Sequence, residues 1–376
     1  NMTPFSSIET PAVLVDEAKL EANLLAMKQK ADANGDSLRP HVKTHKSLEI
    51  GRRQLAHGAT GLTVASVDEA LVFLSGDVAS ITIARPVVDV RKFQRLFSQP
   101  AAKHADLSIV VDSEQGCEAV SVAAKASGLI VGLLLKIDVG LHRCGLLPSD
   151  LRLGGLVQRI VEDPKLEFRG LLSHAGHAYA AQSSTEAAAI AEEERTAILG
   201  ARDALEAVGI DVPIASVGAT PTVLACNDFS GITEIRPGNY VFLDLLPVRA
   251  GVASVQDVSL TVLATVISKN AQYFITDAGS KTLSSDAGVH GMTGTSGFGC
   301  AYPVDHYLEE DNELKVDKVS EEHGMILRAG HRLEVGDQVR IIPNHACPVA
   351  NLAREYNLIG KDGISTYPVD ASKCSR

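Results

Sequence analysis

The sequence lacks several features that define large classes of proteins. Aromatic residues make up 4% of the 376 residues and charged residues 22%, while 45% are hydrophobic, a composition far from that of disordered chains. No apolar run reaches the roughly 18 residues that a membrane-spanning helix needs. The 35 basic residues are outnumbered by 46 acidic ones, for a net charge of −11. Because nucleic acids and anionic membranes attract an excess of lysine and arginine, we expect neither as a partner.

Cysteine is sparse and shows no pairing pattern. The six cysteines are dispersed along the chain without a CxxC pair. Such spacing is typical of proteins from a reducing compartment rather than of a disulfide framework. Residues 1–10 contain no basic stretch followed by an apolar segment, so no secretory signal is predicted. The expected location is the cytoplasm.

Short apolar runs alternate with longer helical patterns over the first 240 residues. The patterns predict an opening strand over 12–16, a helix over about 17–33, and eight further strands near 38–43, 62–65, 81–84, 107–111, 131–137, 168–173, 213–217 and 233–236. Eight such units in roughly 230 residues indicate an α/β fold, a (β/α)8 TIM barrel whose functional residues follow the strand ends. The alternative, a doubly wound open sheet, is disfavoured because the first strand-to-helix turn lacks GxGxxG.

The pattern changes after about residue 247. Alternating runs at 260–267, 272–276 and 338–342 are separated by glycine, aspartate and asparagine turns. A barrel over 17–246 is therefore predicted to be followed by a β domain over 247–376. A glycine-rich stretch at 288–299 is either a substrate-facing loop or a plain surface loop.

The densest group of basic side chains is Arg39-Pro-His-Val-Lys-Thr-His-Lys46, at the end of the first predicted barrel strand. A solvated basic turn is one interpretation. In the other, a lysine faces the barrel mouth, where nearby cations such as Arg39 and His41 lower its pKa and free its amine for Schiff-base chemistry. Alternation along a strand places Arg39, His41 and Lys43 on one face, which makes Lys43 the candidate.

A second group is His345-Ala346-Cys347, which follows the apolar run 339–343. On an extended segment the imidazole and the thiolate lie on the same side, and a nitrogen and sulfur pair suits zinc better than magnesium or calcium. Two ligands do not complete a structural site, so water, substrate or distant residues would fill the remaining positions, as in a catalytic Lewis acid. The alternative is a buried cysteine beside an ordinary loop histidine.

Loops after the last two predicted barrel strands, at 216–222 and 236–240, are rich in small residues that expose backbone N–H groups. Loops in these positions are the usual phosphate site of such barrels. Segments 138–145 and 174–179 bring an arginine, histidines and a tyrosine to two further strand ends, although either could be simple turn chemistry. A lysine, a phosphate cradle, an arginine and an aromatic ring at one mouth describe pyridoxal phosphate (PLP) bound as an imine.

Six motifs occur in an order that resembles the D-threonine aldolase and D-serine dehydratase group of the fold-type III, alanine-racemase-like PLP enzymes. They are Thr10-Pro-Ala-Val-Leu-Val-Asp16, the basic segment 39–46, Asp138-Val-Gly with Arg143-Cys-Gly145, His174-Ala-Gly176, Arg236-Pro-Gly-Asn-Tyr240 and Pro343-Asn-His-Ala-Cys347. The resemblance runs from about residue 10 to past 347. It implies a homodimer and a β domain completed by both termini, with the strand over 12–16 joining residues after about 250.

The resemblance also implies a set of site residues around the cofactor and a metal. Those of the cofactor are Lys43 as the Schiff-base lysine, Arg143 beside the ring oxygen, His41, His174 and Tyr179 near the ring, and Gly218, Thr220, Gly238 and Asn239 around the phosphate. His345 and Cys347 are the implied ligands of a divalent metal. Zinc is favoured, and manganese and magnesium are alternatives.

The reaction type depends on the third residue of the metal motif. D-threonine aldolases of the group generally show His-x-Asp, whereas dehydratases of D-serine and D-threo-3-hydroxyaspartate show His-x-Cys, as this chain does at Cys347. The resemblance therefore favours dehydration of a D-β-hydroxy amino acid to a 2-oxo acid and ammonia. Retro-aldol cleavage to glycine and an aldehyde is the alternative. A racemase would need a second base, such as Tyr302 or Tyr307, and a non-catalytic PLP-binding protein would lack the second domain.

Overall fold

A computed structural model describes residues 5–286, 288 and 296–376 of the chain. After an opening strand, β1 (Ala12–Asp16), eight parallel strands form one sheet. They are β2 (Ser37–Leu38), β3 (Leu62–Val64), β4 (Ser80–Ile83), β5 (Asp106–Val111), β6 (Val131–Ile137), β7 (Leu166–Ser173), β8 (Ile214–Val217) and β9 (Glu234–Ile235). Their order in the sheet is β2-β9-β8-β7-β6-β5-β4-β3. A parallel bridge between His41 and Thr63 joins the two edges, so that the sheet closes into a barrel.

Helices surround this barrel. They are α1 (Glu17–Asn34), α2 (Leu48–Ala56), α3 (Val67–Ser75), α4 (Val90–Phe97), α5 (Glu114–Ser127), α6 (Arg152–Glu162), α7 (Ser184–Glu206), α8 (Thr220–Ala225) and α9 (Leu245–Arg249). Four of them follow a serine whose hydroxyl accepts a helix N–H, namely Ser47, Ser66, Ser113 and Ser183. Serine is a preferred N-cap because it satisfies a donor that has no partner inside the helix.

Strands β5 and β6 consist almost entirely of buried side chains. Such strands are covered on both faces, by helices outside and by side chains inside the barrel. Val110, Leu134 and Leu172 form an apolar layer within it. The barrel bottom is the end at which strands such as β5 and β9 begin. The Arg39–Glu234 and Arg169–Asp106 ion pairs lie there, with N–O distances of 2.8 and 2.6 Å.

The remaining strands and α-helices of the described residues are eight strands, which form a nine-stranded sheet with the first strand of the chain, and two short helices. They are β10 (Leu260–Lys269), β11 (Tyr273–Thr276), α10 (Ser280–Leu283), β12 (Gly299–Pro303), β13 (Leu314–Val319), β14 (Gly324–Leu327), β15 (Gln338–Pro343), α11 (Ala346–Leu352), β16 (Glu355–Gly360) and β17 (Gly363–Pro368). The first strand of the chain, β1 (Ala12–Asp16), lies in this sheet, antiparallel to β10 and parallel to β16. The predicted combination of a barrel and a C-terminal β domain is confirmed.

The first barrel strand differs from the prediction in a way that affects the site. It ends at Leu38 rather than near residue 43, and Lys43 lies in a 3₁₀ turn, Val42–Thr44. Pro40 has no N–H to donate, and Nδ1 of His41 accepts the N–H of Lys43 at 3.3 Å, which begins the turn. Alternation along a strand is therefore the wrong reason for the orientation of Lys43.

Two further sequence predictions, on the glycine-rich stretch and on membrane-spanning helices, can be compared with the structure only at the described residues. Within the glycine-rich stretch 288–299, residues 289–295 lie outside the described residues, as do 1–4 and 287. Among the residues that are described, no helix has the length and apolar character needed to cross a membrane.

Candidate active site

A cavity of about 460 Å³ opens at the C-terminal ends of the barrel strands, where the β domain covers them. Ten of the eleven predicted site residues line it, namely His41, Lys43, Arg143, His174, Tyr179, Gly218, Gly238, Asn239, His345 and Cys347. The eleventh, Thr220, lies behind the wall, where its hydroxyl accepts the N–H of Tyr240 at 3.0 Å and is hydrogen-bonded to Tyr179. The barrel and the β domain thus contribute to one site.

Lys43 has the lowered pKa expected of it, but for a partly different reason. Burial is the main cause of the lower pKa, and the guanidinium groups of Arg143 and Arg236 add to it. Arg39, which the sequence suggested as a neighbour, is paired with Glu234 at the barrel bottom instead. A lower pKa increases the fraction of Lys43 that carries a neutral, nucleophilic amine.

The two histidines near Lys43 are neutral. Burial lowers the pKa of His41 and of His174 well below the usual value, and the charge of Lys43 lowers both further. Nδ1 of His174 lies 3.0 Å from the carbonyl oxygen of Gly218 and therefore carries the proton. In this neutral ring Nε2 is an acceptor, which makes His174 a base or acceptor rather than a cation.

Sequence reasoning missed two cations of the cavity. Arg236 donates to Oγ of Ser216 at 2.6 Å and to the carbonyl oxygen of Ser173, while its buried Nε–H has no partner among the described residues. Lys136 lies in β6, where burial together with Arg236 lowers its pKa to about 7. A lysine within the otherwise apolar run 131–137 was the available signal for that residue, since buried lysines are rare.

The glycines of the predicted phosphate cradle occupy positions where a side chain does not fit. Gly218 has a φ of 127°, and a Cβ on Gly238 would lie 2.8 Å from the carbonyl oxygen of His41. Both glycines line the same cavity as the unpartnered Nε–H of Arg236. A bare backbone and a buried donor fit a phosphorylated ring such as PLP.

The predicted metal motif contains a bend that the sequence did not reveal. His345 is extended, but Cys347 is already in α11, so the two side chains do not meet by alternation along an extended segment. They are nevertheless hydrogen-bonded to each other. Nδ1 of His345 lies 2.9 Å from Oδ2 of Asp286, and Sγ of Cys347 lies 3.3 Å from Oγ1 of Thr44.

The charges of this pair favour a thiolate. Burial alone would lower the pKa of His345, but the Cys347 sulfur and the Asp286 carboxylate outweigh it and raise that pKa to about 10. Burial likewise opposes the thiolate of Cys347, yet His345 lowers the pKa of the thiol overall. No group of three or more potential metal-binding side chains occurs within residues 5–286, 288 and 296–376. The donor chemistry fits a zinc ion with open positions rather than a closed structural site.

The family follows from comparison with known proteins. Residues 15–245 match the family model described as the N-terminal domain of alanine racemase, and residues 259–359 match a putative serine dehydratase domain. The chain is 34% identical to the D-threo-3-hydroxyaspartate dehydratase of Delftia sp. (strain HT23), over 95% of this chain and 96% of that protein. This chain belongs to the alanine-racemase-like PLP-dependent lyases.

Other members of this family have different named activities. The D-serine dehydratase of Dictyostelium discoideum is 30% identical over 96% of each chain. The D-threonine aldolase of Arthrobacter sp. is 31% identical over 96% of this chain and 91% of that protein. The solved structure of the Delftia enzyme has a TM-score of 0.89 at 32% identity, covering 98% of this chain and 99% of that one. The family thus includes both dehydratases and aldolases with the same two domains.

Proposed function

We propose that this lyase dehydrates a D-3-hydroxy amino acid, D-serine or D-threo-3-hydroxyaspartate, to a 2-oxo acid and ammonia, with PLP and zinc as cofactors. The observation that carries the proposal is the His345–Cys347 pair, which lies in the same cavity as Lys43. A cysteine in this position accompanies dehydration within the group that the chain resembles. The similarity to a D-threo-3-hydroxyaspartate dehydratase over nearly the whole chain supports the same reaction.

The cofactor would be held from three sides. Gly218, Gly238 and Asn239 would surround its phosphate. Arg143 and the Nε–H of Arg236 would contact its ring, and Lys43 would bind its aldehyde carbon. The other residues around the cofactor would be His41, His174, Tyr179 and Thr220. When bound, PLP acidifies the Cα–H of an attached amino acid and stabilises the negative charge that remains. The cationic side chains around the cavity favour the anionic phosphate and the substrate carboxylate.

Lys43 is the proposed catalytic base. Burial lowers its pKa, which increases the fraction of Nζ that is neutral and able to accept the proton of Cα. Thr44, in the same turn, lies next to Cys347, so this turn connects the base to the proposed metal ligands. Zinc on His345 and Cys347 would supply Lewis acidity to the β-hydroxyl group.

The test is a product assay on the enzyme loaded with PLP and zinc. D-serine, D-threonine and D-threo-3-hydroxyaspartate are supplied separately, the L-enantiomers serve as controls, and ammonia and glycine are measured independently. We expect ammonia in an amount equal to the 2-oxo acid. Glycine and an aldehyde without ammonia would identify an aldolase, the activity named for the relative that is 31% identical, and would overturn the proposal.

Two variants test the site residues. Lys43→Ala is expected to lose the visible absorbance of bound PLP together with activity. Cys347→Ala is expected to keep that absorbance and to lose turnover, whereas Cys226→Ala, outside the cavity, is the matched control. Full activity of Cys347→Ala after stringent chelation would remove the metal from the proposal.

We also propose that the chain acts as a homodimer in a reducing compartment, the cytoplasm. All six cysteines are free thiols, which supports the compartment. Sedimentation equilibrium of the purified chain tests the dimer, and a monomer at micromolar concentration would contradict it.

A further inference from the structure

Asp244 is a fully buried carboxylate that lies behind the cavity and does not line it. It precedes α9, and its Oδ1 accepts the N–H of Leu246 at 3.0 Å, which caps that helix. A buried carboxylate is costly unless its oxygens accept hydrogen bonds. The partners of its second oxygen therefore show what else the residue does.

Oδ2 of Asp244 accepts two N–H groups from two separate parts of the site. One is Nδ2 of Asn239, at 2.7 Å, in the proposed phosphate cradle. The other is the backbone N–H of Ala346, also at 2.7 Å, between the proposed metal ligands His345 and Cys347. A single oxygen atom thus joins the barrel loop to the metal motif of the β domain.

The contact with Ala346 replaces the usual cap of α11. His345 occupies the N-cap position, but its side chain makes no capping hydrogen bond. The first N–H groups of a helix have no partner inside it, and a side chain of the N-cap residue commonly accepts one. Here Asp244 supplies the acceptor from another domain, so the imidazole of His345 faces the cavity instead of its own helix.

The contact with Asn239 sets the orientation of that amide. Because Nδ2 donates to Asp244, the remaining atom, Oδ1, is an acceptor that cannot hydrogen-bond an anionic phosphate, so the side chain would serve the cradle by holding its loop in place. Oδ1 of Asn239 is buried and has no hydrogen bond within the described residues, and Asn239 lines the cavity. Asn239 also begins the turn Asn239–Val241, and its carbonyl oxygen accepts the N–H of Leu243 at 2.8 Å.

We propose that Asp244 is a positioning residue that couples the metal site to the phosphate cradle, so that occupancy of each strengthens binding at the other. The inference rests on the proposed function, which assigns PLP and zinc to these two sites. When zinc fixes His345 and Cys347, it fixes the N–H of Ala346, hence Oδ2 of Asp244 and the amide of Asn239. Coupling of this kind is reciprocal, because it is one free energy shared by two binding events.

Asp244→Asn is the decisive variant because no orientation of an asparagine amide satisfies all three donors. With its oxygen towards Leu246, its NH2 group faces the N–H of Ala346 and Nδ2 of Asn239. With its oxygen towards Ala346, its NH2 group faces the N–H of Leu246. The shape of the side chain is kept, but the first orientation loses the shared acceptor, and the second loses the cap of α9 and leaves a neutral oxygen, a weaker acceptor than a carboxylate, between Ala346 and Asn239.

The experiment measures the affinity for PLP with and without zinc, and the affinity for zinc with and without PLP, on the full chain. Visible absorbance reports PLP binding, and competition with a chelator reports zinc binding. In the wild-type chain we expect each ligand to tighten the other at least about fivefold. In Asp244→Asn we expect this coupling factor, the ratio of the affinity for one ligand with and without the other, to fall to about 2 or less. Asp163→Asn is the control. It removes a carboxylate that accepts hydrogen bonds from Ser121 and Lys165 far from the cavity, and it should leave the coupling factor unchanged.

Asn239→Ala is the second variant, in case Asp244→Asn does not fold. It removes only the cradle side of the connection, so coupling should be lost while zinc affinity without PLP stays within about twofold of wild type. The inference is overturned if the wild-type chain binds both ligands without coupling, or if Asp244→Asn or Asn239→Ala keeps the wild-type coupling factor. Either result leaves the proposed function intact. A wild-type chain that binds neither PLP nor zinc overturns both.

Discussion

Glu69 and Lys46 form a buried ion pair next to the turn that carries Lys43. Nζ of Lys46 lies 3.1 Å from Oε1 of Glu69, and the two side chains are 9% and 1% exposed. The other carboxylate oxygen accepts the N–H of Ala65 at 2.6 Å, and Nζ of Lys46 also donates to the carbonyl oxygen of Cys374 at 3.0 Å. Glu69→Gln keeps the shape and one acceptor but leaves the ammonium buried without its counter-charge.

The expected loss can be estimated from this environment. Removing one partner of a buried ion pair typically costs about 3–5 kcal/mol, because the remaining charge stays uncompensated. The lower end applies here, since Cys374 still accepts from Lys46 and the amide oxygen of glutamine can still accept from Ala65. We therefore expect Glu69→Gln to lower the free energy of unfolding by about 3 kcal/mol.

A surface pair provides the control. Arg159 and Glu118 are 2.5 Å apart, closer than the buried pair, but their side chains are 43% and 57% exposed. Exposed pairs contribute at most about 1 kcal/mol, so Glu118→Gln should change stability by no more than that. Burial rather than distance is thus the variable under test.

The assay is urea unfolding followed by circular dichroism, with the free energy taken from the midpoint and the slope. The double variant Lys46→Met with Glu69→Gln removes the stranded charge and should regain most of the loss. The reasoning fails if Glu69→Gln and Glu118→Gln lose the same stability, or if the double variant is as unstable as the single one.

Two further predictions concern pH and packing. Burial lowers the pKa of His45 to about 4, from 6.5 in the unfolded chain, so stability is lost as pH falls from about 6.5 towards 4, by about 3 kcal/mol from this group. His45→Gln should remove that part of the slope in urea unfolding at a series of pH values, and an unchanged slope would contradict it. Gly238→Ala puts a Cβ 2.8 Å from the carbonyl oxygen of His41, so PLP affinity in an absorbance titration should fall about tenfold or more. Gly154→Ala is the control and should bind PLP normally, because the added Cβ would have no non-neighbouring atom within 4 Å. Equal affinities of the two glycine variants would refute the cradle.

Much of the barrel was predictable because its signals are local. The apolar run that forms β6 matches its predicted bounds, 131–137, and the helix predicted over 17–33 ends one residue later, at Asn34. Hydrophobic periodicity and capping residues act within a few residues, so one sequence displays them fully. The predicted end of β2 was wrong because the position at which this strand ends depends on Pro40 and on a side-chain contact of His41 with the next turn.

The sequence by itself determined the order of strands and helices and the residue types that suit a cofactor and a metal. Only the tertiary structure decided that Arg236 has a buried N–H without a partner in the described part of the chain, that Lys136 reaches the same cavity, and that Asp244 joins Asn239 to Ala346. The reason is that each of these properties depends on atoms from segments far apart in the chain. Burial and hydrogen-bond geometry arise only when the β domain covers the barrel mouth, and no local pattern records them.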